Sequence, residues 1–143
     1  MSEDTVVRKD KFTIKVILAI FLHGKYCSCC FESLGDKIAF PQMYVEKGKG
    51  IYDTAITILN KCMFLDRTNP FQIELKFLLD EPQRYEGHYD NSITVVFKLD
   101  ADEKSEVYPE LRLLNAEDCG KYANDGKMFE DHKEVLERLV NGE

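Results

Sequence analysis

Between Phe12 and Leu22 the chain alternates so strictly that a β-strand is the only regular structure that fits, and the strand is apolar on both sides. Phe12, Ile14, Val16, Leu18, Ile20 and Leu22 recur at every second position, while Ile17, Ala19 and Phe21 fill the gaps towards the end. Successive side chains of a strand point to opposite faces. This segment must therefore bury both faces, and an interior strand of a sheet covered on each side does that. A chain of 143 residues can bury such a core as one domain without disulfide or metal staples.

The remaining pattern supplies the layers around that strand. His23-Gly24-Lys25 reads as a turn and Tyr26 to Phe31 as a short second strand, broken by Leu34-Gly35-Asp36. Ile38 to Val45 is an extended piece interrupted by Pro41. Gly48 and Gly50 open a helix in which Ile51, Ala55, Ile58, Leu59 and Cys62 share one face. It should fade near Leu65, ahead of Asp66-Arg67-Thr68-Asn69-Pro70. Phe71, Ile73, Leu75, Phe77 and Leu79 alternate with Gln72, Glu74 and Lys76, which predicts a half-buried strand with those five residues on one side. Residues 80–92 read as a polar loop, Ile93 to Leu99 as another strand, Leu111 to Leu114 as a last one, and Met128 to Val140 as a terminal helix. Residues 1–11 form a polar lead-in and residues 12–143 a single α+β domain on a mixed β-sheet.

Charge limits the partners. The formal net charge is -7, yet residues 1–76 carry 11 Lys and Arg against 9 Asp and Glu, whereas residues 77–143 carry 8 against 17. The acidic half argues against a protein that binds nucleic acid over its whole surface, while the other half leaves room for a local basic patch. The longest apolar run, Val16 to Leu22, is too short to span a bilayer. The opening MSEDTVVRKD is polar and resembles no secretory signal. Five cysteines without such a signal fit reduced thiols in a cytoplasmic, or alternatively nuclear, protein. Cys27 and Cys29 should share one strand face and Cys30 the other, with Cys62 and Cys119 isolated, so no zinc site is expected. The Gly48-Lys49-Gly50 run lacks P-loop spacing, and no Gly-x-Ser-x-Gly elbow exists. His23, His88 and His132 are scattered, with His88 in a polar Glu86–Asp90 hairpin loop.

The stretch from Pro41 to Leu65 resembles the Nudix box: a glycine, five residues, a glutamate, seven residues, then Arg-Glu-apolar-any-Glu-Glu-any-Gly-apolar. Pro41, Val45, Glu46, Gly48, Ala55, Leu59 and Leu65 fall in matching register without a gap, and the element order around the box fits over residues 12–140. The resemblance implies a Nudix-like α/β/α sandwich. At the positions the family uses for chemistry the sequence departs from it. Gln42 and Met43 stand for the two glycines, Lys49 for the first glutamate, Thr57-Ile58 for Arg-Glu, Lys61-Cys62 for Glu-Glu and Phe64 for the last glycine. Nudix enzymes hold Mg²⁺ with carboxylates on one helix face, and Mg²⁺ requires hard oxygen donors. Without them the main stabilisation of the transition state is lost. The expectation is therefore an inactive Nudix-like module with no catalytic residue, no metal ligand and no cofactor.

Lys37, Lys47, Lys49 and Lys61, with Tyr44 and Tyr52, cluster around the former active site in this alignment. Lysines with stacking aromatics suit phosphate and single-stranded RNA, but a solvated surface of mixed charge has the same composition. The candidate binding residues are Gln42, Met43, Tyr44, Lys47, Lys49 and Lys61. The expected partner is a protein or ribonucleoprotein assembly, ribosomal or RNA-processing in kind. The alternatives are a nucleotide or RNA ligand in the old cleft, or residual hydrolysis using Glu46 or Asp53. Ile58 and Cys62 read as plain helix-face packing or as the lining of an apolar cleft that meets a partner.

Overall fold

A computed structural model describes residues 12–25, 27–64, 71–79, 91–129 and 132–142. The 1–11 lead-in, Tyr26, Leu65 to Pro70 and the Glu86–Asp90 loop with His88 lie outside the described residues. The central-strand expectation holds. Strand β1 (Phe12–His23) pairs along its whole length in parallel with β6 (Asn91–Asp102). Its other edge pairs antiparallel with β2 (Ser28–Leu34) at one end and with β4 (Gln42–Tyr44) at the other. β3 (Lys37–Ala39) and β7 (Arg112–Asn115) both pair with β2, and β5 (Ile73–Leu79) pairs with β6. The sheet order is β3-β2-β1-β6-β5.

Helices cover both faces. Val16, Leu18, Ile20 and Leu22 of β1 pack with Val95, Phe97 and Leu99 of β6 against α1 (Ile51–Cys62), which buries Ala55, Ile58, Leu59 and Cys62. Ile17, Ala19 and Phe21 face the opposite core, with α2 (Ala116–Asn124) and α3 (His132–Val140), which contribute Cys119, Val135, Leu136 and Leu139. The result is an α/β/α sandwich on a mixed sheet. No helix among the described residues is long and apolar enough to cross a membrane.

Several boundaries move for physical reasons. Pro41 divides the Ile38–Val45 piece into β3 and β4, and its carbonyl accepts from Leu18 N–H at 3.0 Å. Helix α2 was absent from the periodicity. It is short, capped by the Asn115 side chain accepting from Asp118 N–H at 2.9 Å, and it buries only Cys119. Strand β5 contradicts the single-sided reading of Phe71 to Leu79. A bulge between Leu75 and Phe77 shifts the register, so Ile73 opposes Leu99 while Phe77 opposes Val96. The extra residue turns the strand over: Ile73 packs on the α1 core, Phe77 and Leu79 on the α3 core, and Leu75 is exposed.

The cysteines also correct the sequence reading. Cys29 and Cys30 do point to opposite faces. Cys62 and Cys119 are isolated only in the chain: Cys119 meets Cys29 across one core and Cys62 meets Cys30 across the other.

Candidate functional site

The segment entering α1 is built from short pieces that fix one another. β4 pairs with Lys15 to Ile17 of β1, and Val45 N–H donates to the Ile14 carbonyl at 2.8 Å. The chain then turns through Gly48, whose φ of 84° is one that glycine adopts without steric penalty. Lys49 N–H closes the turn on the Glu46 carbonyl at 3.0 Å. At the start of α1 the Asp53 carboxylate accepts from Gly50 N–H at 3.3 Å, and the Thr54 hydroxyl donates to the Gly50 carbonyl at 2.9 Å. Asp53, a candidate carboxylate for chemistry, thus serves as a helix-start acceptor.

Two hollows flank this segment. One, of about 270 Å³, is lined by Lys15, Glu32, Gln42, Met43, Tyr44 and Phe129. The other, of about 60 Å³, lies between Met43, Tyr44, Glu46, Lys49 and the Asp53, Thr54 and Thr57 face of α1. Of the residues singled out in the sequence, the structure brings together Gln42, Met43, Tyr44 and Lys49. Lys61 approaches the same site from α1: burial pushes the Glu32 carboxyl above its usual range and the Lys61 ammonium pulls it back. Lys47 sits exposed in the turn and, like Lys37 on β3, lines neither hollow. Tyr52 lies edge-on to Phe97, 5.0 Å between ring centres, and lines neither hollow.

Sequence reasoning missed Lys15, Glu32, Phe129 and His132. Lys15 was hidden inside an apolar strand and Glu32 in the strand that follows the cysteines. His132 is fully buried at the start of α3. Its Nδ1 accepts from Phe40 N–H at 2.9 Å, so that nitrogen carries no proton. Its Nε2–H is then the donor to Gln42 Oε1, 3.1 Å away. With its oxygen engaged, Gln42 has its amide NH₂ left to offer another partner. The site is therefore not the basic patch the lysines alone indicated: Lys15, Lys49 and Lys61 are interleaved with Glu32, Glu46 and Asp53. Among the described residues, no group of three or more His, Cys, Asp or Glu side chains is placed to hold a metal ion.

No protein-family model matches the sequence, and no curated protein does. Solved structures do. The chain is similar to a bifunctional NMN adenylyltransferase/ADP ribose pyrophosphatase from Francisella tularensis, with a TM-score of 0.68 and 14% identity, covering 95% of this chain and 42% of that one. It thus spans less than half of that enzyme's length. A mutT/nudix family protein from Listeria innocua gives a TM-score of 0.65 at 16% identity, covering 95% and 94% of the two chains. The Nudix domain of Shewanella oneidensis NrtR, solved in complex with ADP ribose, gives 0.65 at 12% identity, covering 94% and 89%. Sheet order, helices on both faces and these likenesses agree: the chain has the Nudix fold.

Proposed function

We propose that this chain is a Nudix-fold binding module without hydrolase chemistry, acting as a protein subunit or factor within a larger, RNA-containing assembly. The observation that carries the reading is what α1 presents at the positions where the resemblance calls for the box's charged pairs. Ile58 and Cys62 are 2% and 1% exposed, committed to the core. Thr57 donates its hydroxyl to the Asp53 carbonyl at 2.9 Å, and Lys61 carries an ammonium. A hard divalent cation does not fit that donor set, because carbon and ammonium supply no lone pair and a thiol is too soft. Two of the nearby carboxylates have other engagements: Asp53 caps α1, and Glu32 is half-buried beside Lys61.

The test is hydrolysis of nucleoside triphosphates, ADP-ribose, dinucleoside polyphosphates and capped RNA with Mg²⁺ or Mn²⁺, expected to show no turnover above purification controls. Turnover that disappears in Glu32→Gln, Glu46→Gln or Asp53→Asn would overturn the reading. A pull-down analysed by mass spectrometry, with and without RNase, then reads the partner.

A second reading, in which the old cleft holds a nucleotide or RNA, is favoured by the likeness to the NrtR domain seen with ADP ribose. The 270 Å³ hollow, with Lys15, Gln42 and Tyr44 on its walls, is where such a ligand would seat. Calorimetry with ADP-ribose and a short oligoribonucleotide separates this reading from the first.

A further inference from the structure

The largest of the hollows described, about 520 Å³, lies between the sheet and helices α2 and α3. That is within the roughly 300–1,000 Å³ range of small-molecule sites. Helix α2 borders it with Ala116, Gly120 and Ala123, whose spacing of four and three residues puts them on one helical face. A side chain built on Gly120 would meet nothing within 4 Å. Packed interiors leave few voids larger than a water molecule, so the space beside these three small residues sets the hollow apart from the rest of the core. Phe21 of β1, Cys29 of β2, Cys119 of α2 and Leu136 and Leu139 of α3 border it, yet each of them is buried. The apolar floor is therefore recessed, while Asn124, Lys133, Glu137 and Asn141 stand exposed around it.

We propose that this cavity is a non-covalent binding site for a small, uncharged amphiphile: an aliphatic chain or ring that carries a single hydroxyl or carbonyl group. A flat protein surface would meet the polar rim first and leave the floor uncovered, whereas a small molecule reaches it. Free thiols pack as small hydrophobes, so Cys29 and Cys119 extend the apolar surface made by Phe21, Leu136 and Leu139.

The charges on the wall select the head group. Lys98 lies 3.4 Å from the Asp100 carboxylate, and its ammonium is 5.0 Å from the centre of the Phe21 ring. Lys133 and Glu137 put opposite charges on the α3 wall. An anionic head would meet Glu137 and the acidic excess of residues 77–143, and a cationic head would meet Lys98 and Lys133. A neutral head avoids both repulsions and finds donors and acceptors in the Asn124 and Asn141 amides. Burial of the apolar body then supplies the affinity, and the rim fixes which end faces water.

The test uses the full chain and a neutral fluorescent probe, N-phenyl-1-naphthylamine, displaced at neutral pH by 1-hexanol, 1-heptanol, 1-octanol, octanoate and octylamine. Probe binding should saturate at a single site. Each methylene added along the alcohols should tighten displacement about fourfold, the ratio expected for burying one CH₂. Octanoate and octylamine should each bind about tenfold more weakly than 1-octanol, because their charged heads must be partly desolvated. Amide shifts in two-dimensional NMR on adding 1-octanol should centre on Phe21, Cys29, Gly120, Ala123 and Leu136 and leave Gln42 to Tyr44 unmoved. Gly120→Phe fills the hollow and should all but abolish probe binding while keeping or raising the melting temperature, since glycine is the poorer helix former. Gly120→Leu, with a smaller side chain, covers the case in which the phenylalanine variant does not fold, and it too should weaken the probe. Probe binding that does not saturate, alcohols that bind alike whatever their length, or a charged amphiphile that outbinds 1-octanol would each overturn the proposal. So would shifts centred on Gln42 to Tyr44, or a folded Gly120 variant that binds as wild type does.

Discussion

His132 offers the sharpest test of how the cleft is held. Truncation to alanine removes a ring that is fully buried and stacked on Phe40, 5.8 Å between ring centres, with Phe129 edge-on at the same distance. It also leaves Phe40 N–H, which now donates to Nδ1, buried without its acceptor. An orphaned buried donor costs about 1–3 kcal/mol, and removing a buried ring leaves a void worth about 2–3 kcal/mol more. His132→Ala should therefore lose about 3–6 kcal/mol. His132→Phe refills most of the volume but not the acceptor, so it should lose about 1–3 kcal/mol. Urea unfolding followed by far-UV circular dichroism measures both, with an unchanged m-value confirming that only stability moved. If His132→Ala falls within about 0.5 kcal/mol of wild type, the imidazole is not the acceptor that Phe40 needs and the hold on Gln42 is not real. If His132→Phe is as damaging as alanine, packing geometry rather than volume governs the site.

Glu32→Gln should raise the melting temperature at neutral pH. Burial lifts the carboxyl's folded value above its unfolded one, so its contribution is most favourable below the ordinary glutamate range near about 4.3 and is lost as pH rises through the folded value. The advantage of the variant should then shrink towards pH 4 in a melting series, and a gain that persists undiminished in acid would contradict this. Ile73→Ala and Phe77→Ala should each cost about 2 kcal/mol, the low end for half-buried side chains. Because the bulge puts them on opposite faces, the double variant should be additive within about 0.5 kcal/mol in chemical denaturation. A Lys47→Glu, Lys49→Glu double variant should keep its melting temperature and weaken binding of an anionic partner, with a shallower salt dependence in titration. Binding equal to wild type would move the interface away from residues 37–64.

The sequence disclosed most where one physical signal dominated. The two-sided apolar run of β1 placed it inside the sheet, and the face of α1 emerged because Ala55, Ile58, Leu59 and Cys62 obey helical spacing. The bulge in β5 was invisible because an extra residue breaks alternation without leaving a glycine or proline to mark it. Helix α2 escaped because its apolar stripe, Cys119, Tyr122 and Ala123, is short, with Gly120 inside it and acidic residues before it. At the site, Gln42, Met43, Tyr44 and Lys49 were found because the box register points to them. Glu32, Phe129 and His132 come from β2, from the loop after α2 and from α3, and only the closed fold brings them to β4. The thiol pairs failed in the same way, since Cys29 and Cys119 stand on elements that carry no shared motif.

Helix α3 reaches both the β4 cleft and the 520 Å³ hollow beside Phe21. Its first residue, His132, donates to Gln42 at the β4 cleft. From the next residue on, Lys133, Leu136 and Glu137 border that hollow. The helix is only nine residues long. Packed interiors transmit strain because they contain few voids to absorb it, so a shift of α3 large enough to reshape the cavity must also load the His132 contacts with Phe40 and Gln42.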